Sequence, residues 1–501
     1  MNKRAHKLIG LFLVLILFAG LIPSAAFAGT GSITRDGEHV HNGITFTEWS
    51  SSDSLPDSEG SYYLTQNVTL SSTWNVPFGK TDLCLNGHDI IMDANDTAIE
   101  IRDSAVTLNL YEDDGAHGKI THSTGHSGTG VYVISGNFSM YGGAVSDNTA
   151  SEGLSGGGVY VSGGTFTLAG GAVSGNRAKN GGGVFLSAGT LNLYGSPTSP
   201  AIGLNTASEK GGGIYVNSGT VFMSNGIICM NEAQNGGGVY VNGGIFSVYG
   251  SARVAGNIAS VLGGGVYEAE NGNVYMHGSP TVTGNTASGK ANNVYLPTGK
   301  TITINGDITG SSIVGVTMEI SGKITTGLYS HGSGASFFCD DSDFGVVTDY
   351  MSGDAMIVTD PTIYFERVEL RGRTQNDGKF DMRFRFNLTL NGAKIKVAGD
   401  WYGQSSGTEI TDLRAFFNGG STPFPLYNIF SIAPKVNDCH AFCTFTVVIT
   451  GIESDNIEYT VSVEYSTDNG ATYTGAVSRT AKVESLVNGD YDLPTPPAPL
   501  P

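Results

Sequence analysis

The sequence predicts an all-β protein: a single-stranded parallel β-helix with three strands per coil, followed by a C-terminal β-sandwich of immunoglobulin-like type. The first observation is short apolar runs that alternate with polar residues, the period of strands with one buried face. The second is a glycine-rich unit that returns about every 27 residues, the length of one solenoid coil. The chain has 501 residues, 73 of them glycine, and 40% are hydrophobic, which excludes a disordered chain.

The chain begins with the features of a secretory signal peptide, which we place at residues 1–28. Residues 3–7 carry three positive charges, residues 8–22 are nearly all apolar, and Ala26-Phe27-Ala28 has the pattern of a cleavage site. The apolar run is short for a membrane span. We therefore expect a secreted or cell-surface-associated protein without an integral membrane span after cleavage.

The charge and the cysteines narrow the choice of partners and of environment. Loss of the signal peptide changes the net charge from −19 to −22, which argues against nucleic acid and anionic membranes. Five cysteines are few for an exported chain of this length, so disulfides are not its main support. Cys439 and Cys443 are near enough to pair if the backbone turns between them. Cys84, Cys229 and Cys339 are expected to be single buried thiols.

Two landmarks define the repeat. Glycine triplets begin at Gly156, Gly181, Gly211, Gly236 and Gly263. A second landmark, mostly Asn-x-Ala, begins at Asn148, Asn176, Asn205, Asn231, Asn257 and Asn285. Each period contains three alternating runs, so coils that stack in register would bury like residues on like. We expect the asparagines to form a ladder at a turn, because asparagine tolerates left-handed backbone and its amide can bond between coils.

The candidate binding site is an aromatic column on the first strand of each coil. Its members lie between two inward residues and should point outward: Tyr132, Tyr160, Phe185, Tyr215, Tyr240, Tyr267 and Tyr295. At the strand spacing, seven coils give an exposed aromatic stripe about 30 Å long. Such a stripe suits sugar rings or hydrophobic partners. The alternative is that these residues are good strand formers that satisfy one another as a ladder.

The domain boundaries follow changes in texture along the chain. Longer alternating strands and the turn sequence TDNGATY indicate antiparallel pairing from residue 361. The predicted organisation is an N-terminal cap with irregular first coils (29–125), glycine-rich β-helix repeats (126–330), a transition (331–360), the β-sandwich (361–488) and a Pro-rich tail (489–501).

The unit GGGVYV…GGTFTLAGGAVSGNRA, residues 156–178, resembles the glycine-rich right-handed parallel β-helix repeats of bacterial surface proteins. These are adhesin-like proteins, similar in pattern to the polymorphic outer-membrane proteins. The GGA-aliphatic mark of the latter occurs at 142–145 and 170–173, and F-x-x-N occurs at 222–225. The resemblance implies a surface or adhesion role and names no ligand.

The β-helix fold also carries carbohydrate-active enzymes, so catalytic and metal-binding motifs must be considered. A glycoside hydrolase needs a carboxylate pair beside the sugar, and the usual N-T-D and G-H-G motifs are missing. The acidic groups at 112–114 and 340–343 lack EF-hand spacing and are expected to be solvated loops. No Cys/His spacing indicates zinc. We therefore predict no catalytic residue, no metal and no cofactor.

The function expected from these observations is that of an exported, non-catalytic, monomeric surface protein. Its partner would be a glycan or a host or cell-surface protein. The first alternative is a polysaccharide lyase or glycoside hydrolase built on the β-helix. The second is a purely structural spacer, with recognition carried elsewhere.

Overall fold

The computed structural model describes residues 38–113, 115–196, 199–331 and 336–341, and strand-forming segments between 345 and 482. The predicted signal peptide and Pro-rich tail lie outside the described residues, and so does Cys439. The chain divides into two units. One comprises residues 1–319 with 331–336, and the other comprises 320–330 with 337–501.

The first unit is a parallel β-solenoid of about nine turns, which confirms the predicted β-helix repeat. Like residues pair with like: Val131 is in register with Val159, and Val159 with Val184. The first strands are Trp74–Asn75, Ile99–Ile101, Val131–Val133, Val159–Val161, Val184–Leu186, Ile214–Val216, Val239–Val241, Val266–Glu268 and Val294–Leu296.

The second and third strands of the coils continue the same stacking. The second strands are Ile44–Trp49, Gly60–Leu64, Lys80–Cys84, Thr107–Tyr111, Asn137–Met140, Thr165–Leu168, Thr190–Leu193, Thr220–Met223, Ile245–Val248, Asn273–Gly278 and Ile302–Ile308. The third strands are Val68–Leu70, Ile90–Met92, Lys119–His122, Ala144–Ser146, Ala172–Ser174, Ala201–Gly203, Ile227–Cys229, Arg253–Ala255, Thr281–Thr283 and Ile313–Met318. His39–His41 pairs antiparallel with Ile44–Trp49 and begins the described chain.

The central coils contain a fourth strand, so the prediction of three strands per coil is wrong for them. These strands form a sheet of their own: Arg177–Asn180, Thr206–Lys210, Glu232–Asn235, Ile258–Leu262, Thr286–Ala287 and Lys290–Ala291. Ala207, Ala233, Ala259 and Ala287 are the buried residues of this face. A single small inward residue per strand gives almost no alternation of hydrophobicity, which explains why the pattern did not reveal it.

The interior is filled by stacked apolar side chains from the other three faces. Phe138, Phe166 and Phe246 are among the largest fully buried side chains. The rings of Phe138 and Phe166 stack with their centroids 5.1 Å apart. Burying each such side chain contributes roughly 1.5–3 kcal/mol. Because a coil covers its neighbour's inner layer, this stabilisation exists only in the stack.

The predicted asparagine ladder is confirmed. All six asparagines of the landmark are fully buried. Asn176 donates its backbone N–H and its Nδ2 to Asn205 Oδ1, both at 3.0 Å, and Asn205 repeats both bonds to Asn231. The left-handed residue is the one before the asparagine rather than the asparagine itself, for example Leu204 with φ 60° and Met230 with φ 54°. Asparagine therefore occurs at this position because of its side-chain amide, and not because of a left-handed backbone conformation.

The glycine triplets carry the backbone from the fourth strand to the first. Gly236, Gly237 and Gly238 donate their N–H groups to the triplet region of the next coil at 2.9–3.0 Å, so the inter-coil bonding is unbroken there. A Cβ on Gly237 would lie 2.4 Å from the Ile258 carbonyl oxygen. Close approach of two backbones, rather than ligand binding, therefore requires glycine at this position.

The second unit contains antiparallel strands, as predicted for the C-terminal region. Gly345–Thr348 pairs with Ala355–Val358, and Phe380–Thr389 pairs with both Ile363–Gly372 and Phe442–Ile452. Further strands are Thr325–Thr326, Ser336–Cys339, Ala393–Val397, Asp400–Gly403, Thr408–Ile410, Asp412–Phe417, Glu458–Ser466 and Thr474–Lys482. Leu328–His331 forms a 3-10 turn, and within the described residues no helix is long and apolar enough to span a membrane.

Candidate functional site

The structure brings the seven predicted aromatic residues into one stack. Consecutive ring centroids lie 4.8–5.4 Å apart along the whole column. From Phe185 to Tyr295 the neighbouring rings are within 24° of parallel, whereas Tyr132 and Tyr160 meet edge to face at 70°. From Phe185 to Tyr295, therefore, the rings offer their faces to the rings of the adjacent coils.

The prediction that this column is exposed is wrong for three of its members. Tyr215, Tyr240 and Tyr295 are only 8%, 7% and 6% exposed, and the other four are half-buried. Face-to-face stacking leaves only ring edges free, and Lys210 Nζ lies over the Tyr240 ring at 4.8 Å. The neighbouring glycine also covers the column, because a Cβ on Gly236 would lie 2.8 Å from Tyr240 Cβ.

The environment of the phenols follows from this packing. Burial raises the pKa of Tyr215 and of Tyr240, and the neighbouring phenol raises that of Tyr215 further. Burial likewise raises the pKa of Tyr267 and Tyr295. The column therefore presents neutral hydroxyl groups at its edge, which can donate or accept hydrogen bonds but carry no charge.

Several outer carboxylates pair with basic side chains. Asp147 Oδ2 lies 2.9 Å from Lys119 Nζ, and Glu209 Oε1 lies 3.5 Å from Lys179 Nζ. Glu100 is paired with Arg102 in the same way. Exposed pairs of this kind contribute about 0–1 kcal/mol each. In each pair the carboxylate therefore faces a lysine or arginine side chain of the same protein surface.

One acidic side chain of the repeat points into the core. Glu268 is in register with Val241, at a position that is aliphatic in the preceding coils, and is 1% exposed. Lys300 Nζ lies 3.0 Å from Oε1, whereas the buried Oε2 makes no hydrogen bond. Burial raises the Glu268 pKa to about 7, and the opposing charge of Lys300 only partly offsets this.

A cluster that the sequence did not predict lies at the N-terminal end of the solenoid. It consists of His39 and His41 on the first described strand, Cys84 at the end of a second strand, and Asp113 in the loop of the next coil. His41 Nε2 is 3.0 Å from His39 Nε2, 3.1 Å from Cys84 Sγ and 3.1 Å from Asp113 Oδ1. All four donor atoms lie within 4.8 Å of one another.

Aromatic rings pack around the two imidazoles of this cluster. Tyr63 stacks on His39 at 4.4 Å and Tyr111 on His41 at 5.5 Å. Phe46 meets the edges of both imidazoles. Burial lowers the pKa of His39 and raises that of the Cys84 thiol, so the low-dielectric surroundings favour the neutral form of each.

The loop that carries Asp113 is held by a second buried acid. Glu112 is fully buried and accepts hydrogen bonds from the backbone N–H groups of Gly87, Asp113 and Gly118 at 2.6–2.9 Å. The prediction of a solvated loop at 112–114 is therefore wrong for Glu112. Its carboxylate has a raised pKa because of burial, which the three N–H donors partly oppose.

One part of this cluster, the pair His39 and His41, could have been recognised in the local sequence. In His39-Val40-His41 the two imidazoles fall on the same face of a strand, since side chains alternate. Cys84 and Asp113 follow 43 and 72 residues after His41, and stacking of coils alone brings them to it. Cys84, Cys229 and Cys339 are buried free thiols as predicted, but Cys84 is not isolated.

No protein-family model, no curated protein and no solved structure matches this chain. The β-solenoid fold is shared by adhesins, enzymes and spacers. The fold alone therefore does not distinguish between these functions.

Proposed function

We propose that this protein is an exported, non-catalytic stalk of a bacterial surface or the extracellular space. One observation carries the proposal: the rings of the aromatic column and the amides of the asparagine ladder both contact their counterparts on the adjacent coil. Ring faces and amide groups that a ligand site would leave free are directed at neighbouring coils instead. Such ladders stiffen a solenoid along its axis, which is what a spacer requires.

The outer ion pairs support a stalk over a carbohydrate-active enzyme. A hydrolase needs two carboxyl groups about 5–9.5 Å apart, one of them protonated. Asp147, Glu209 and Glu100 instead face basic side chains of their own surface. The raised pKa of Glu268 belongs to a side chain that points into the core, away from any substrate.

A second candidate function is binding of a glycan or a host or cell-surface protein along the edge of the column. The half-buried rings of Tyr132, Tyr160 and Tyr267 favour it, because their edges recur from coil to coil. We further propose that the antiparallel strands between 363 and 482 pack as an immunoglobulin-like sandwich and supply recognition for the stalk.

Glycan-array binding and polysaccharide turnover test these functions on the full chain. The variant Tyr132→Phe/Tyr160→Phe/Tyr267→Phe removes the edge hydroxyls and keeps the rings stacked. Tyr275→Phe is the matched control, since this half-buried tyrosine lies on a second strand. For a stalk we expect no turnover and the same array signal from the wild type, the triple variant and the control.

Two outcomes would contradict the stalk. Loss of about tenfold or more in glycan affinity in the triple variant, with the control unchanged, would establish the column edge as a binding site. Tenfold corresponds to about 1.4 kcal/mol, the upper end of the range for one hydrogen bond. Release of reducing ends or unsaturated sugars would establish an enzyme.

A further inference from the structure

We propose that His39, His41, Cys84 and Asp113 form a structural zinc site that fastens the first described strand to the solenoid. The proposal is independent of the stalk function. Polar atoms are crowded around one nitrogen, His41 Nε2. A neutral imidazole Nε2 holds either one proton or one lone pair, yet His41 Nε2 has three polar neighbours at 3.0–3.1 Å. Hydrogen bonding can satisfy one of these contacts, whereas a cation among the four donors satisfies all of them.

The distances between the donor atoms fit a tetrahedral ion. With metal–nitrogen bonds of about 2.0–2.1 Å and a metal–sulfur bond of about 2.3 Å, the edges of the tetrahedron are about 3.3–3.6 Å. Five of the six edges measure 3.0–3.6 Å, with the three at His41 Nε2 slightly short at 3.0–3.1 Å. The sixth edge, between the donor atoms of His39 and Cys84, is at most 4.8 Å, so a bound ion would draw these two ligands together.

The donor types select the metal. Two imidazole nitrogens, one thiolate and one carboxylate are ligands of Zn²⁺, and the thiolate disfavours Ca²⁺ and Mg²⁺, which take six or more oxygen ligands. Four protein ligands complete the tetrahedral shell, so the site is closed, as in structural rather than catalytic zinc centres. His41 and Cys84 are fully buried, whereas His39 and Asp113 keep small exposed fractions of 10% and 22%.

The surroundings hold the ligands in place. Glu112 fixes the loop of Asp113 through three backbone N–H donors. The His41 ring makes no hydrogen bond through Nδ1 and is oriented by packing against Phe46 and Tyr111. Zinc would thereby link the first described strand to the ends of two successive coils. Such a link would hold the first described strand against these coils.

The test is metal content and spectroscopy of the full chain, purified without a histidine tag and loaded with Zn²⁺ or Co²⁺ before dialysis. We expect about one zinc per wild-type chain, and for the cobalt form the intense visible and thiolate-to-metal bands of a tetrahedral site. His39→Gln, Cys84→Ser and Asp113→Asn should each lower zinc affinity at least about 100-fold. Cys229→Ser, a buried thiol in a third strand, is the matched control and should bind like the wild type.

Chelation provides a second, independent measurement. EDTA should lower the midpoint of thermal unfolding of the wild type and of Cys229→Ser, because zinc binding stabilises the folded state. It should leave any folded ligand variant unchanged. If Cys84→Ser fails to fold, His39→Gln and Asp113→Asn, whose side chains lie nearer the surface, carry the test. A wild type that keeps less than about 0.2 zinc per chain, weak octahedral cobalt bands, or full zinc retention in the variants would overturn the proposal.

Discussion

The repeat coils and the N-terminal coils bury polar groups in opposite ways. In the repeat, one solution recurs: Asn176, Asn205 and Asn231 each bond to the next asparagine through the same atoms. In the N-terminal coils each polar group has its own partners, such as the three N–H donors around Glu112. The difference shows that a solenoid stabilises its middle by repetition and its end by individual contacts.

This contrast has a physical origin. A middle coil has identical neighbours on both sides, so one residue type at one position satisfies donors and acceptors together. Among the described residues, the first coil has a neighbouring coil on one side only. Its open side must be closed by groups that occur once, and the strand His39–His41 with its antiparallel partner does this. Substitutions in the two regions should therefore differ in cost.

The largest effect is expected from Asn205→Ala in the middle of the ladder. Asn205 accepts two bonds from Asn176 and donates to Val173 O at 2.9 Å and to Asn231 Oδ1 at 3.0 Å, all fully buried. Leaving these partners unpaired should lower the free energy of unfolding by about 3–5 kcal/mol. Urea unfolding followed by far-ultraviolet circular dichroism measures the loss.

The matched substitution in the N-terminal coils is Asn109→Ala. Asn109 donates one hydrogen bond, at 2.8 Å, to Asp82 Oδ1 and is also buried. We expect a cost of about 1–2 kcal/mol. If Asn205→Ala costs no more than Asn109→Ala, the ladder is not the main polar support of the repeat.

The sequence predicted those repeated features that carry a strong hydrophobic or polar signal. Alternating residues such as Val159 and Val161 indicated the strands, and the asparagine period indicated the ladder, because each signal recurred in every coil. The fourth strand was missed because its one inward residue, for example Ala233, carries little hydrophobic signal. The left-handed residue was placed on the asparagine, although residues as different as Leu204 and Met230 occupy it.

The candidate sites show the same limit. Outward positions of the aromatic column followed from alternation, but the exposure of its rings depends on stacking between coils and on the cover given by Lys210. Within the part of the chain that the structure describes, the cluster at His41 occurs once. Its partners Cys84 and Asp113 come from different coils, so no period and no local spacing could have joined them.

The next effect concerns two buried acids, one from each region, and is measured as pH dependence. Burial raises the folded Glu268 pKa from 4.5 to about 7. The folded state then binds more protons than the unfolded state between these values, so stability falls as the pH rises through them. A shift of this size corresponds to about 3 kcal/mol. We expect Glu268→Gln to gain stability relative to the wild type from pH 4.5 to pH 7.

Two further substitutions sharpen this result. Glu112→Gln removes an acceptor of three N–H groups, so we expect it to destabilise the N-terminal coils at neutral pH. Glu232→Gln, exposed on a fourth strand, should change stability by less than about 0.5 kcal/mol at any pH. A difference between Glu268→Gln and the wild type that stays constant from pH 4.5 to pH 7 would contradict the prediction.

The smallest effect distinguishes the middle of the aromatic column from its end. Tyr215 stacks on Phe185 at 5.0 Å and on Tyr240 at 5.4 Å, whereas Tyr132 contacts one ring of the column, Tyr160, edge to face. Aromatic pairs contribute about 0.5–1.5 kcal/mol beyond their buried area. Tyr215→Leu should therefore cost about 1–3 kcal/mol and Tyr132→Leu about half as much.

A double-mutant cycle on Tyr215 and Tyr240 isolates their stacking energy from the loss of buried area. Coupling of about 0.5–1.5 kcal/mol would mean that these rings serve each other. Absence of coupling would mean that the stacking adds nothing to stability, so the rings would need another reason to recur in seven coils. A ligand along the column edge would then be the better explanation, and the repeat would be the recognition surface rather than the support.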